Sequence, residues 1–245
     1  MTCDPGRPEP VFGGPPPTPA AASSVFGERT SLAERYVAAL ADTGISHGLI
    51  GPREAPRLWD RHVLNCAVVH PLFGQGAEVA DIGSGAGLPG LVLAIARPDL
   101  QLQLIEPLHR RVIWLQRTIL DLELENVSVH EGRAESLWGV RRFPYITARA
   151  VARIGELGRW ALPLLETGGT LHAVKGSSGP DELEADRATL TDLGAAQYAV
   201  ARLGRGVVDP ETVVLSVSVE AAVSGRRARE RHSPKRGTRG RSRRR

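Results

Sequence analysis

Apolar positions along the chain fall into two spacings, and the alternation between them predicts most of the elements. Leu32, Tyr36, Val37 and Leu40 recur at helical spacing over 28–41, with Thr30 or Ser31 available as a cap. Glycines at 44, 48 and 51 interrupt the chain before a second helical stretch over 54–69, where Leu58, His62 and Asn65 or Cys66 can share one face. The spacing then changes. Val79, Ala80 and Ile82 read as a buried strand, Gly83, Gly85 and Gly87 as a tight turn, and Pro89 as the first-turn residue of a helix carrying Leu91, Val92, Leu93 and Ile95. Further apolar runs predict strands at 102–105, 127–130, 145–147 and 170–174, and helices at 109–122, around 154–164 and at 180–193. Two last β-rich segments, 195–203 and 212–219, are joined by glycines at 204 and 206 and by Pro210.

Five βα units followed by a ribbon give an α/β fold with a mostly parallel, seven-stranded sheet, an antiparallel edge and helices on both faces. The helices before residue 76 are too few to fold alone, so they are expected to cap the sheet beside a ligand pocket. In such sheets the pocket lies outside the carboxyl ends of the strands. Gly83, Glu106, Ala134 with Glu135, Arg149 and Lys175 all fall there.

Composition divides the chain. Residues 1–27 are Pro-rich and read as a disordered leader, 28–75 as the helical cap, 76–220 as the core, and 221–245 as a disordered Arg-rich tail. From Arg226 to Arg245 there are ten Arg, one Lys and one Glu, a net of +10; the whole chain is +4, so the remainder is about −6. The basic character therefore belongs to the tail, which suits phosphate backbones through counterion release and equally a solvated extension without a partner. No run is long enough to span a bilayer and no secretory pattern opens the chain, so a cytoplasmic protein is expected. Cys3 and Cys66 fit neither a metal spacing nor a disulfide framework, and no metal is expected. Lys175 is the only lysine outside the tail, as a strand-end cation or a site residue.

The glycine loop carries the chemistry. Its Gly85-Ala-Gly87-Leu-Pro-Gly90 satisfies the dinucleotide pattern G-x-G-x-x-G, a weak signal alone. Asp81 extends it to D-x-G-x-G-x-G, the form associated with S-adenosylmethionine enzymes; an acid there holds the loop or meets the ammonium end of a zwitterionic ligand. The helix-start N–H groups are expected to face that ligand. Glu106, about twenty residues on, suits ribose hydroxyls in either reading. Glu135 fits an adenine amino edge or a plain surface acid near a helix start.

The methyl acceptor is narrowed by absences. Thr147-Ala-Arg-Ala150 stands where adenine-amino methylating enzymes place Asn or Asp, Pro, Pro and an aromatic, and neither cysteine is placed for attack on a pyrimidine carbon. An acceptor with its own lone pair, such as a purine ring nitrogen, remains, with arginine to orient it.

Taken in order, Leu58-Trp-Asp-Arg-His-Val-Leu-Asn65, Asp81-Ile-Gly-Ser-Gly-Ala-Gly-Leu-Pro-Gly90, Glu131-Gly-Arg-Ala-Glu135, Thr147-Ala-Arg-Ala150 and Val174-Lys-Gly176 resemble the bacterial 16S rRNA guanine-N7 methyltransferases, the RsmG group, also called glucose-inhibited division protein B. The resemblance spans roughly 31–219. It implies a Rossmann-like class I methyltransferase fold, S-adenosylmethionine as cofactor, and methylation of N7 of a guanine in 16S rRNA of the small ribosomal subunit or its assembly intermediate, by a monomer. It also implies Gly83, Leu88, Ala134, Glu135 and Arg149 as cofactor contacts, with Asp81 and Gly85 in the loop and Glu106 as the ribose acid. Arg61, His62, Arg149 and Lys175 are then the RNA-facing or catalytic groups, although on spacing alone His62 is a helix-packing histidine and Arg61 a solvated charge. Asn65-Cys66 departs from the family's usual Asp-Ser. The rival readings are an NAD(P)-dependent oxidoreductase using the same loop and a non-catalytic RNA-binding module.

Overall fold

A computed structural model describes residues 14–225. The segment 221–225 belongs to the predicted tail, and the remaining tail residues and 1–13 lie outside the described range. Part of the span predicted as a leader, 1–27, is helical. Helix α1, Ala20–Phe26, begins directly after Pro19, and its Ala22 and Phe26 are buried. Proline density masks the three alanines that start this helix, residues of the highest helical propensity. The segment before α1 is also docked, since Trp59 Nε1 donates to Pro16 O at 3.3 Å.

Helix α2, Thr30–Ala39, follows a 3-10 turn and runs into a wider π-type turn, Leu40–Gly44. Neither Thr30 nor Ser31 caps it: Thr30 lies inside, its hydroxyl donating to Gly27 O. The predicted helix over 54–69 is three different windings, a 3-10 turn Pro52–Arg57, a π-type turn Leu58–Leu64 and one α turn, α3, Asn65–Ala67. Wide turns of this kind concentrate at functional sites.

The core alternates strands and helices as the pattern predicts: β1 Glu78–Ile82, α4 Gly90–Ala96, β2 Gln101–Glu106, α5 His109–Asp121, β3 Val127–Glu131, β4 Phe143–Arg149, α6 Ile154–Ala161, β5 Leu165–Lys175, α7 Gly179–Leu193, β6 Gln197–Leu203 and β7 Thr212–Ser218. Pro89 precedes α4 as its N-cap rather than opening its first turn. Strand β4 continues through Arg149 because Ala148 and Arg149 pair with Ala173 and Val174 of β5. Ala150 then takes φ 55°, a left-handed conformation uncommon outside glycine, which turns the chain away from the sheet.

The sheet order is β3-β2-β1-β4-β5-β7-β6, parallel except where β7 joins β5 and β6. The strand order reverses between β1 and β4, so the crevice outside their carboxyl ends is the expected ligand site. One apolar core joins α1–α5 to one face of the sheet; the other joins α6 and α7 to the opposite face. Among the described residues no helix is long and apolar enough to cross a membrane.

Candidate functional site

The glycine loop leaves β1 with Gly83, Gly85 and Gly87 at φ 68°, 57° and 85°, conformations that glycine adopts without steric cost. Its amides do not wait for a ligand, contrary to expectation. Gly83 N donates to Ile105 O, Gly87 N and Leu88 N to Ser84 O, and Leu91 N to Gly87 O. Two carboxyl groups take two more. Asp81 Oδ2 accepts from Gly90 N at 3.0 Å, and Glu106 Oε2 accepts from Gly85 N at 2.9 Å while its Oε1 accepts from Leu108 N at 3.0 Å. Arg111 Nη1 stands 3.7 Å from Glu106 Oε2.

Asp81 is wholly buried, and its Oδ1 has no hydrogen-bond partner. Burial pushes its carboxyl up to about 7, against the pull of the Gly90 amide. Of the two roles open to this acid, the protein alone uses it to hold the loop. The third glycine of the pattern makes that approach possible, since a Cβ on Gly90 would stand 2.7 Å from Asp81 Oδ2 and 2.3 Å from Leu104 Cδ2.

Beside the loop a cleft of about 130 Å³ opens between the ends of β1, β2 and β3. Ile82, Ile105, Ala134 and Val151 give it apolar walls, with Gly83 and Glu135 also lining it. Of the residues predicted to touch a cofactor, Gly83, Ala134 and Glu135 meet here. Asp81, Gly85, Leu88, Glu106 and Arg149 do not line this cleft.

Arg149 reaches instead into the helical cap. Its Nη2 donates to Arg61 O at 2.9 Å and lies 3.2 Å from His62 Nδ1, and its Nη1 lies 3.3 Å from Cys66 Sγ. His62 is held at both ring nitrogens. Its Nε2 lies 2.8 Å from Glu54 Oε2, to which Arg61 Nε also reaches at 3.3 Å. Burial, and then Arg149, lowers the His62 pKa, which favours the neutral ring. Cys66, set aside by sequence because it sits in the cap, is brought to the site by Arg149. It is nevertheless fully buried, and burial raises its thiol pKa, both contrary to a nucleophile. Asn65 Nδ2 donates to Thr212 Oγ1, tying α3 to β7.

Lys175 is committed as well: its Nζ donates to Ala152 O and pairs with Glu182 Oε1, both at 2.6 Å. It lines a second groove of about 310 Å³ between the cap and the β6–β7 hairpin, with Arg57, Arg61, Asn65 and Arg202 on its walls. Lys175 stands there as half of an ion pair rather than as a free amine. Two residues that sequence reasoning missed complete the site. Glu54 orders His62, and the buried Tyr36 hydroxyl donates to Ala86 O of the glycine loop at 2.6 Å. The helical spacing marks Tyr36 as core, but no sequence signal points its hydroxyl at the loop. Among the described residues no cluster of His, Cys, Asp and Glu could hold a metal ion.

The chain is similar to known proteins over most of its length. The family model GidB, described as rRNA small subunit methyltransferase G, matches residues 29–211. Proteins named ribosomal RNA small subunit methyltransferase G from Thermobifida fusca and an Arthrobacter species are 50% and 51% identical, over 88% and 81% of this chain and 91% and 92% of their own. Among solved structures, Pyrococcus horikoshii TYW2 in complex with MeSAdo aligns with TM-score 0.52 at 16% identity, over 65% of this chain and 63% of its own. A SAM-dependent methyltransferase from Aquifex aeolicus aligns with TM-score 0.50 at 18% identity, over 69% and 99%. These two likenesses extend to the fold.

Proposed function

The chain belongs to the GidB family, rRNA small subunit methyltransferase G, and on that premise we propose that it moves a methyl group from S-adenosylmethionine to N7 of one guanine in 16S rRNA, on the small ribosomal subunit or an assembly intermediate, as a cytoplasmic monomer. The wiring of the glycine loop carries the choice of cofactor. A dinucleotide pyrophosphate needs free N–H groups at the loop and helix start. Here the amides of Gly83, Gly85, Gly87, Leu88 and Gly90 are spent on Asp81, Glu106 and main-chain carbonyls, and the groups behind the loop are carboxyls. Such a loop disfavours a pyrophosphate and suits a ligand with cationic sulfonium and ammonium centres.

The apolar slot between Ile82, Ile105, Ala134 and Val151 fits a planar base, with Glu135 for its amino edge. Glu106 orders Gly85 and Leu108, and a ribose contact would be shared with those amides. When bound, S-adenosylmethionine supplies an electrophilic methyl group. The work of this chain is then orientation, which accounts for much of the acceleration of an in-line displacement. Guanine N7 carries its own lone pair, so no base is needed; an arginine such as Arg149 can hold O6 and leave N7 free. The groove sets Arg57, Arg61 and Arg202 among Asp60, Asp209 and Glu211, and its arginines can meet flanking phosphates.

Calorimetric titration of the full chain should give binding with S-adenosylmethionine and none with NADH. Small-subunit particles from cells lacking the enzyme should then gain one N7-methylguanine when both are added. Binding of NADH alone, or a methyl mark on another base or atom, overturns the reading.

A further inference from the structure

The geometry points to Glu54 as a positioning residue for Arg149, acting through the tautomer of His62, in the methyl transfer proposed above. The inference rests on that reading for its kinetic consequence and on the hydrogen-bond chain alone for its structural one. Glu54 lies in the 3-10 turn Pro52–Arg57, and His62 lies eight residues on, in the wide turn Leu58–Leu64. An ionised carboxylate only accepts, so the 2.8 Å contact requires the proton of the neutral ring to sit on His62 Nε2. Nδ1 is left with its lone pair. A guanidinium only donates, so the 3.2 Å contact from Arg149 Nη2 requires that same lone pair. The two ends of the imidazole therefore specify one tautomer, which Glu54 holds from one side and Arg149 from the other.

The alternative tautomer carries its hydrogen on Nδ1, facing an Arg149 N–H. Two donors would then oppose each other, and the guanidinium would lose one of the contacts that aim it from β4 towards the cap. Its other partners are Arg61 O in the same wide turn and Cys66 Sγ in α3, and the hydrogen bond to Nδ1 fixes the guanidinium between them. The charged groups around His62 agree with this assignment. Arg149 from β4 and Arg61 on the cap oppose a second ring proton, Glu54 favours it, and burial adds to the two arginines so that the ring's pKa is lowered. Bonding to His62 in turn lowers the Glu54 carboxyl, keeping it an acceptor at neutral pH. A simple surface ion pair between Glu54 and Arg61 would leave the tautomer of His62 to the Arg149 contact alone.

The test uses the full chain with 15N-labelled histidine and compares wild type, Glu54→Ala and Glu54→Gln. Long-range proton–nitrogen spectra without RNA should show His62 as the Nε2–H tautomer in wild type and as a mixture in E54A. The Gln carbonyl can still accept, so E54Q should restore the wild-type pattern. Single-turnover transfer from saturating S-adenosylmethionine to unmethylated small-subunit particles should slow in E54A on the order of tenfold to a hundredfold, the scale of a misplaced orienting group. E54Q should recover rate and tautomer together. An E54A spectrum that keeps the wild-type tautomer, a wild-type rate in E54A, or recovery of one property without the other in E54Q overturns the inference. A wild-type chain that transfers no methyl group overturns the functional reading instead, and the spectra then decide the role of Glu54 by themselves.

Discussion

Asp81 shows how one residue can be both structural and costly. It is fully buried, gives one oxygen to Gly90 N and has no partner for the other. Its carboxyl is pushed from an ordinary carboxylate value up to about 7 by burial. A raised acid in the folded state binds its proton more tightly than in the unfolded chain. Its cost is therefore absent below the ordinary carboxylate range, accumulates as pH rises towards 7, and is complete above 7. With one pKa unit equal to about 1.4 kcal/mol, the difference is on the order of 4 kcal/mol. Asp81→Asn removes the titration whatever it does to the mean stability. Urea unfolding of the cofactor-free protein at pH 5 and pH 8 should show wild type losing stability with rising pH relative to the variant. A parallel pH dependence in the two proteins would refute the buried, raised carboxyl.

At the scale of elements, a buried hydrogen bond from the Tyr36 hydroxyl to Ala86 O ties α2 to the glycine loop. Tyr36→Phe leaves the packing and orphans a buried carbonyl, which costs about 1–3 kcal/mol. Because Ala86 lies inside the loop, the variant should also bind S-adenosylmethionine more weakly. Thermal unfolding and calorimetry check the two effects. The sequence made the supporting elements legible because their signals are local. Alternating glycines, apolar runs and helical spacing gave β1–β7, α4, α5 and α7 nearly in place, and the carboxyl-end rule brought Gly83, Ala134 and Glu135 to one cleft. What it missed depends on partners distant in the chain. Helix α1 is fixed by burial of Phe26 and Ala22, β4 is extended by pairing with β5, and Arg149 meets residues 83 to 88 positions earlier. The direction of the loop amides was misjudged for the same reason. Asp81 and Glu106 take them through contacts that a glycine pattern cannot display.

For the whole molecule the relevant quantity is the separation of charge. The stretch 226–245 carries a net +10 on a chain of net +4, so the rest of the protein is net negative by about 6. A body of that sign would repel an RNA backbone at long range, and its groove mixes Arg57, Arg61 and Arg202 with Asp60, Asp209 and Glu211. The tail is then expected to supply attraction at distance, and the body the discrimination of one guanine. The two contributions scale differently with salt. Each phosphate neutralised adds roughly 0.7–0.9 to the slope of log affinity against log salt, whereas contacts to a base or to a cofactor contribute little to that slope. Deleting 226–245 should therefore flatten the salt dependence of binding to small-subunit particles, weaken association most at low salt, and leave S-adenosylmethionine affinity unchanged. Filter binding across 50–200 mM salt, run with calorimetry on the same proteins, separates these effects. An unchanged slope would mean that the arginines contact no phosphate in the complex, and that the cations of the groove alone overcome the repulsion of the acidic body.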